Sequence, residues 1–210
     1  MQETPPSNVP PLVLASASPG RLQLLEAAGL APDVVAPGAI DERPLPGELP
    51  AALVRRLALA KAERTAREHA AAFVLGADTV VAAGRRILPK TDDSDQARRC
   101  LELLSGRRHR VLTAIAVIAP KRPAAVRLVC STVAFKRLAA GEIAWYLASG
   151  EWRGKAGAYA IQGRAARFVR WLSGSYSNVV GLPLFETVAL LEGLGFPVWT
   201  ERRRGREDER

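Results

Sequence analysis

Short apolar runs alternating with helix-period segments predict a sheet protein with flanking helices, of the α/β or α+β class. Three observations carry this. Strand-then-helix signals repeat through the first seventy residues. Two longer β-rich runs, RVLTAIAVIAP and AAVRLVCSTVAFKR, follow one another across the turn PKRP. The chain is 48% hydrophobic over 210 residues, enough for one sizeable core, and shows no internal repeat.

Residues 1–10 are rich in proline and polar groups and read as a flexible segment; 11–199 read as one domain and 200–210 as a charged tail. LVLASA (12–17) is a buried strand. Ser18 supplies a helix N-cap and Pro19 the first helical position, opening a helix over 19–28 that Gly29 ends. A short strand at 33–36 gives way to the loop PGAIDERPLPGE, whose prolines and glycines forbid regular structure. A helix over 50–69 carries Leu53, Leu57 and Lys61 at successive four-residue steps, which puts a lysine on an apolar stripe.

FVLGADTVVAAGRRIL reads as strand, turn and return strand, and SDQARRCLELLSG as a capped helix. After the two long strands, AAGEIAWYLASG is a helix, KAGAYAIQGRAARFVRWLSGS two strands broken at Gly163, and LPLFETVALLEGLG a final amphipathic helix.

Composition excludes several classes. No apolar run approaches the ~20 residues of a membrane span, and MQETPPSNVPP lacks the basic and apolar regions of a secretory signal, so a cytoplasmic, non-membrane protein is expected. Cys100 and Cys130 form no CxxC or Cys/His set and read as reduced, buried thiols. The formal charge of +9 is partly carried by TERRRGREDER, where acids interleave with arginines. No nucleic-acid module is present, so nucleic acid is not an expected partner.

Chemistry concentrates in a few places. VLASASPGR brings two serines, a close-approach glycine and Arg21 to a helix N-terminus, the makings of a phosphate seat, although Ser-Pro also opens helices that bind nothing. Asp78 interrupts the apolar run 73–81, where a carboxylate must be paired, protonated or metal-bound, or sit in a turn at a strand end. Thr79 is an ordinary strand residue, Lys61 could snorkel to the rim, and Lys90, Asp41 and Glu42 could be merely solvated. There is no GxxxxGK[ST], HExxH or nucleophile elbow, and there are only two histidines. Carboxylates, lysines, an arginine, serines and a glutamine remain, a set suited to Mg²⁺-assisted attack on phosphate.

Read together, LASASPGRLQLLEAAG, IDE (40–42), LALAKA (57–62), GADTVV (76–81), ILPK (87–90), LSGRRHRVLTAIAV (104–117), KAGAYAIQG (155–163) and NVVGLPL (178–184) resemble the Maf family of nucleoside triphosphate pyrophosphatases, in order over about 12–195. The resemblance implies an α/β fold, an elongated mixed sheet flanked by helices and similar to inosine triphosphate pyrophosphatases. It implies hydrolysis of the α–β phosphoanhydride, a divalent metal (Mg or Mn), a house-cleaning role in nucleotide metabolism and a homodimer. It places Asp78 as proton acceptor, Glu42 and Asp78 as metal carboxylates, Lys61 and Lys90 as catalytic lysines, and Ser16, Arg21 and Lys155 as substrate-binding residues. Thr79 and Gln162 match the branch acting on dTTP and UTP and not the branch acting on 7-methyl-GTP. Gly20 departs from that branch, which carries arginine there, and Lys90-Thr91 replaces its Lys-Pro. The resemblance also allows a 7-methyl-GTP or other modified-nucleotide pyrophosphatase, or a non-catalytic regulator of septum formation and cell division; apart from the resemblance, the +9 charge leaves polynucleotide binding through the basic surface as a further reading.

Overall fold

The computed structural model describes residues 9–199. The charged tail, and all but the last two residues of the flexible segment expected at the start, lie outside the described residues.

The strands are β1 (Leu12–Ala15), β2 (Val34–Val35), β3 (Phe73–Ala83), β4 (Arg86–Leu88), β5 (Arg108–Ile118), β6 (Ala125–Phe135) and β7 (Val169–Ser173). The helices are α1 (Pro19–Ala27), α2 (Pro50–Ala66), α3 (Ser94–Leu104), α4 (Ala140–Ala148), α5 (Tyr176–Val180) and α6 (Leu184–Gly193). All seven strands form one mixed sheet in the order β2-β1-β3-β5-β6-β7, with β4 added to β3. β1 is parallel to both β2 and β3, and the remaining pairs are antiparallel. The mixed α/β class expected from sequence is the one observed.

Alternation along the strands assigns the layers. Leu12 and Leu14 pack in a cluster with Leu25 of α1 and Leu191 of α6, whereas Val13 and Ala15 join Leu53, Leu57 and Ala58 of α2. So α1 and α2 cover opposite faces. A third cluster, built on Val111, Val133 and Phe135, holds α3 and α4.

Strand lengths then open a gap. β1 pairs with β3 only over Phe73–Gly76, and β4 pairs with it only from Val81 to Ala83. Residues 77–80 therefore have β5 on one side and no strand on the other. This is where β1 has ended, at a point where its neighbours β2 and β3 lie on opposite sides of it, the position at which open α/β sheets form ligand crevices.

Three expectations need correction. Residues 155–175 form one strand and not two: Ala156–Ala158 and Arg164–Phe168 are 3₁₀ turns. Glycines and a positive φ at Ala158 (58°) wind that backbone too tightly for a strand, although its apolar residues still reach the core. Cys130 is exposed, because α2 lies mainly over β3 and β5 and leaves that rung of β6 open. Ser18 occupies the N-cap of α1, yet its side chain makes no capping bond. Among the described residues, no helix is long and apolar enough to cross a membrane.

Candidate active site

The gap beside residues 77–80 opens into a cleft of about 430 Å³. Ser16–Arg21 form one wall, the loop bearing Glu42 and the side chain of Lys61 another, and Lys90, Arg153, Lys155, Tyr159 and Gln162 much of the remainder.

Lys61 reaches the cleft because α2 crosses β3 in close contact. A Cβ on Gly76 would collide with Ala58 O and come within 2.8 Å of Ala62 N, so only glycine lets the helix lie this near the strand. Asp78, two residues along on the same face, then receives Lys61 Nζ at 2.8 Å on Oδ1. The loop of Glu42 is pinned to the same helix. Thr65 Oγ1 donates to Ala36 O at 3.0 Å, and a Cβ on Gly38 would come within 2.8 Å of Lys61 O.

The outcome is a bridged pair of carboxylates. Lys61 Nζ lies 2.7 Å from Glu42 Oε1 as well as 2.8 Å from Asp78 Oδ1, and Lys90 Nζ is 3.5 Å from Glu42 Oε2. Asp78 is 2% exposed and lies beneath Lys61, which is itself 6% exposed. Glu42 is different, with a side chain 47% exposed on its loop. Desolvation would raise the Glu42 carboxyl, but hydrogen bonds and charge from Lys61, helped by Lys90, outweigh it and hold the group below its usual value.

Thr79 points to the opposite face and into a different network. Arg21, buried, donates from Nε to Gly181 O at 2.8 Å, from Nη1 to Ser16 Oγ at 2.8 Å and Ala77 O at 2.9 Å, and from Nη2 to Thr79 Oγ1 at 3.1 Å. Thr79 Oγ1 lies 3.0 Å from Thr113 Oγ1, which donates to Asn178 O at 3.1 Å. Since each hydroxyl has one hydrogen, donation runs from Arg21 through Thr79 and Thr113 to α5. Burial lowers the Arg21 guanidinium from its ordinary value, opposed by the charges of Asp78 and Glu42.

Sequence placed Arg21 as an anion ligand, but four of its five N–H donors are used on protein acceptors. Its geometry is that of a hub tying β1, β3 and α5 together. The free anion donors on this wall are the backbone N–H groups of Gly20 and Arg21, since Pro19 has none and Ser18 makes no cap, the remaining Nη2 hydrogen of Arg21, and the hydroxyl hydrogen of Ser16, whose oxygen already accepts from Arg21.

The structure thus gathers Ser16, Arg21, Glu42, Lys61, Thr79, Lys90, Lys155 and Gln162 around one cleft, with Asp78 just below its surface. Gly20 and Gln162 are neighbours: a Cβ on Gly20 would sit 3.6 Å from Gln162 Nε2, an ordinary contact. Arg153 and Tyr159 were missed. Arg153 stacks over Trp152 at 4.7 Å and donates to Asp92 O at 3.1 Å, which joins its loop to that of Lys90. Tyr159 shares a 2.9 Å hydrogen bond with the buried His109, whose pKa burial lowers to about 4. Their only sequence signal is position within or beside the KAGAYAIQG motif.

The family model described as Maf-like protein matches residues 11–194. The chain belongs to this family. A dTTP/UTP pyrophosphatase of Rhodospirillum rubrum is 62% identical over 186 residues, covering 89% of this chain and 89% of the relative. Another dTTP/UTP pyrophosphatase, from Paramagnetospirillum magneticum, is 62% identical over 185 residues, covering 88% and 97%. A solved nucleoside-triphosphatase/dITP/XTP pyrophosphatase from Mycobacterium abscessus aligns with a TM-score of 0.38 at 20% identity, over 61% of this chain and 76% of that one. Membership of the Maf family gives the cleft its setting, since the matched segment contains every residue that lines it.

Proposed function

We propose that the chain hydrolyses the α–β phosphoanhydride of dTTP and UTP, giving the monophosphate and pyrophosphate. The observation that carries this reading is the cluster Glu42–Lys61–Asp78, set opposite the uncapped start of α1 across a cleft lined by further cations. Such a site pairs hard oxygen donors with positive groups able to receive a polyphosphate. The relatives named as dTTP/UTP pyrophosphatases, 62% identical, support the same substrates.

The donor set fits a divalent cation. Two carboxylates already share one positive charge, and Mg²⁺ commonly takes one or two protein carboxylates with the rest of its shell from phosphate oxygens and water. Glu42 and Asp78 would hold Mg²⁺ or Mn²⁺, which when bound would polarise phosphoryl oxygens and offset their charge.

The protein's own groups divide the remaining work. Backbone N–H groups of α1 and the Ser16 hydroxyl seat phosphate oxygens. Lys90 and Lys155 offset charge on the departing pyrophosphate, and Asp78 takes the proton of the attacking water once Lys61 releases it. Gln162 and the bare backbone at Gly20 face the nucleoside. Thr79, its hydroxyl engaged with Arg21 and Thr113, shapes that wall from behind. A homodimer and a cytoplasmic house-cleaning role belong to the same reading, and sedimentation tests the former.

The test is a panel of dTTP, UTP, CTP, ATP, GTP and 7-methyl-GTP with Mg²⁺ or Mn²⁺, scored separately for pyrophosphate, orthophosphate and monophosphate. The expected outcome is pyrophosphate release, fastest from dTTP and UTP. Release of orthophosphate, a preference for 7-methyl-GTP, or binding without turnover would overturn the proposal.

A further inference from the structure

We propose that the Lys61 ammonium is a place-holding cation: in the metal-free protein it occupies the position between Glu42 and Asp78 that a divalent ion takes over when it arrives with a nucleotide. The inference rests on the metal assignment above and adds an order of events to it.

Geometry supplies the first reason. A lysine that served only to contact phosphate would point its charge into the open cleft, as Lys90 does, with a side chain 45% exposed. Lys61 Nζ instead sits between the two carboxylates at 2.7 Å and 2.8 Å, with its side chain 8% exposed. For a carboxylate as deeply buried as Asp78, a negative charge needs a positive partner, because an uncompensated buried charge is strongly destabilising. Lys61 supplies that charge when nothing else does.

Dimensions supply the second. An ammonium holds oxygen at the distances seen here, whereas Mg²⁺ draws its ligands to about 2.1 Å. Exchange therefore requires the carboxylate oxygens to draw in on the cation. Asp78 is fixed in the middle of a strand, but the Glu42 side chain is half exposed on an irregular loop and has room to make that movement without shifting the loop's anchor on α2. The displaced ammonium, at the end of a flexible stem, turns toward the cleft that it already lines.

The arrangement also explains why an ion comes with its substrate. Among the described residues no group of three or more Asp, Glu, His or Cys side chains could hold a metal. Two carboxylates that already share a cation offer a free divalent ion little. A nucleotide changes the balance twice, by bringing oxygen ligands for the ion and by giving Lys61 a new anion to pair with.

The experiment measures Mn²⁺ binding by electron paramagnetic resonance without nucleotide, and the melting temperature with and without Mn²⁺. It compares wild type, Lys61→Met, Lys61→Gln and the double variant Lys61→Gln/Glu42→Gln. Wild type is expected to bind Mn²⁺ weakly. Each single variant is expected to bind it at least about ten-fold more tightly, since a competing positive charge has gone, and to gain more in melting temperature from Mn²⁺ than wild type does. Glu42→Gln in the Lys61→Gln background should abolish the gain. If Lys61→Met fails to fold without metal, Lys61→Gln, uncharged and similar in length, decides the matter. Binding by Lys61→Gln no tighter than wild type, or a gain that survives Glu42→Gln, would overturn the proposal. No turnover enters these readouts, so a chain inactive on dTTP would sink the functional reading and leave this one standing.

Discussion

Asp78 and Thr79 are consecutive residues of β3, yet they belong to opposite kinds of polar site. On the α2 face, Asp78 is held by a single lysine whose other partner, Glu42, stands half in solvent. On the other face, Thr79 sits in a buried relay with Arg21, Thr113 and the backbone of α5, where nearly every donor is already used. The first site can exchange partners at small cost because one member stands half in solvent, where water can replace a lost partner. The second cannot, because each bond broken strands a buried group. One strand thus carries a changeable charge cluster on one side and a fixed scaffold on the other, and the cleft lies where both reach the end of β1.

The largest expected effect comes from the changeable side. Asp78→Asn keeps the shape of the side chain and removes its charge and basicity. Pyrophosphate release should fall by about 10²–10⁴-fold, the range for loss of a general base, while circular dichroism and thermal melting show a folded protein. A large loss of stability with kcat little changed would move Asp78 into the scaffold class and erase the contrast.

Arg21→Met should do the reverse. It leaves Gly181 O and Ala77 O without their buried donor, and urea denaturation should show a loss of about 3 kcal/mol or more. A stable variant with a raised KM for the triphosphate would instead make Arg21 an anion ligand, as the sequence alone led us to expect.

Much of this was legible beforehand, for identifiable reasons. Lys61 announced itself by lying on the Leu53/Leu57 stripe, because a helix period fixes which residues share a face. Asp78 did so by breaking an apolar run. Motif order, not periodicity, tied them to Glu42, Lys90 and Gln162, since loops carry no period from which contacts follow. The path of residues 155–175 was misread because its apolar residues enter the core from 3₁₀ turns, which copy a strand's composition without its ladder. The structural bonds of Arg21 were not legible, because sequence shows a charge but not its acceptors. Three of its four bonds go to residues 56 to 160 positions away.

A third polar site sharpens the comparison through pH. His109 is buried, bonded only through Nε2 to Tyr159, with Nδ1 unpartnered. Its pKa is lowered from 6.5 to about 4. Between those values the unfolded chain holds a proton that the folded protein refuses, so stability must fall as pH falls through this window. The full span is worth about 3 kcal/mol. Denaturation curves at pH 7 and pH 4 should show it, superposed on the loss from paired carboxylates. His109→Phe should remove this part of the slope while leaving the contribution of Glu42, whose depressed pKa acts at lower pH.

The smallest effect is also the most discriminating. Thr79→Val is nearly isosteric and exchanges only the hydroxyl for a methyl. In a scaffold, that leaves an Arg21 Nη2 donor and the accepting side of Thr113 without a partner, at a cost of about 1–2 kcal/mol. Turnover of dTTP and of UTP should then change together and little, since the hydroxyl faces the protein and not the nucleoside. Were Thr79 instead a direct substrate contact, stability would hold and the two nucleotides would part company, one losing kcat/KM more than the other. Melting temperature and the dTTP-to-UTP ratio of kcat/KM, measured on this single variant, distinguish a threonine that builds the wall from one that reads the base.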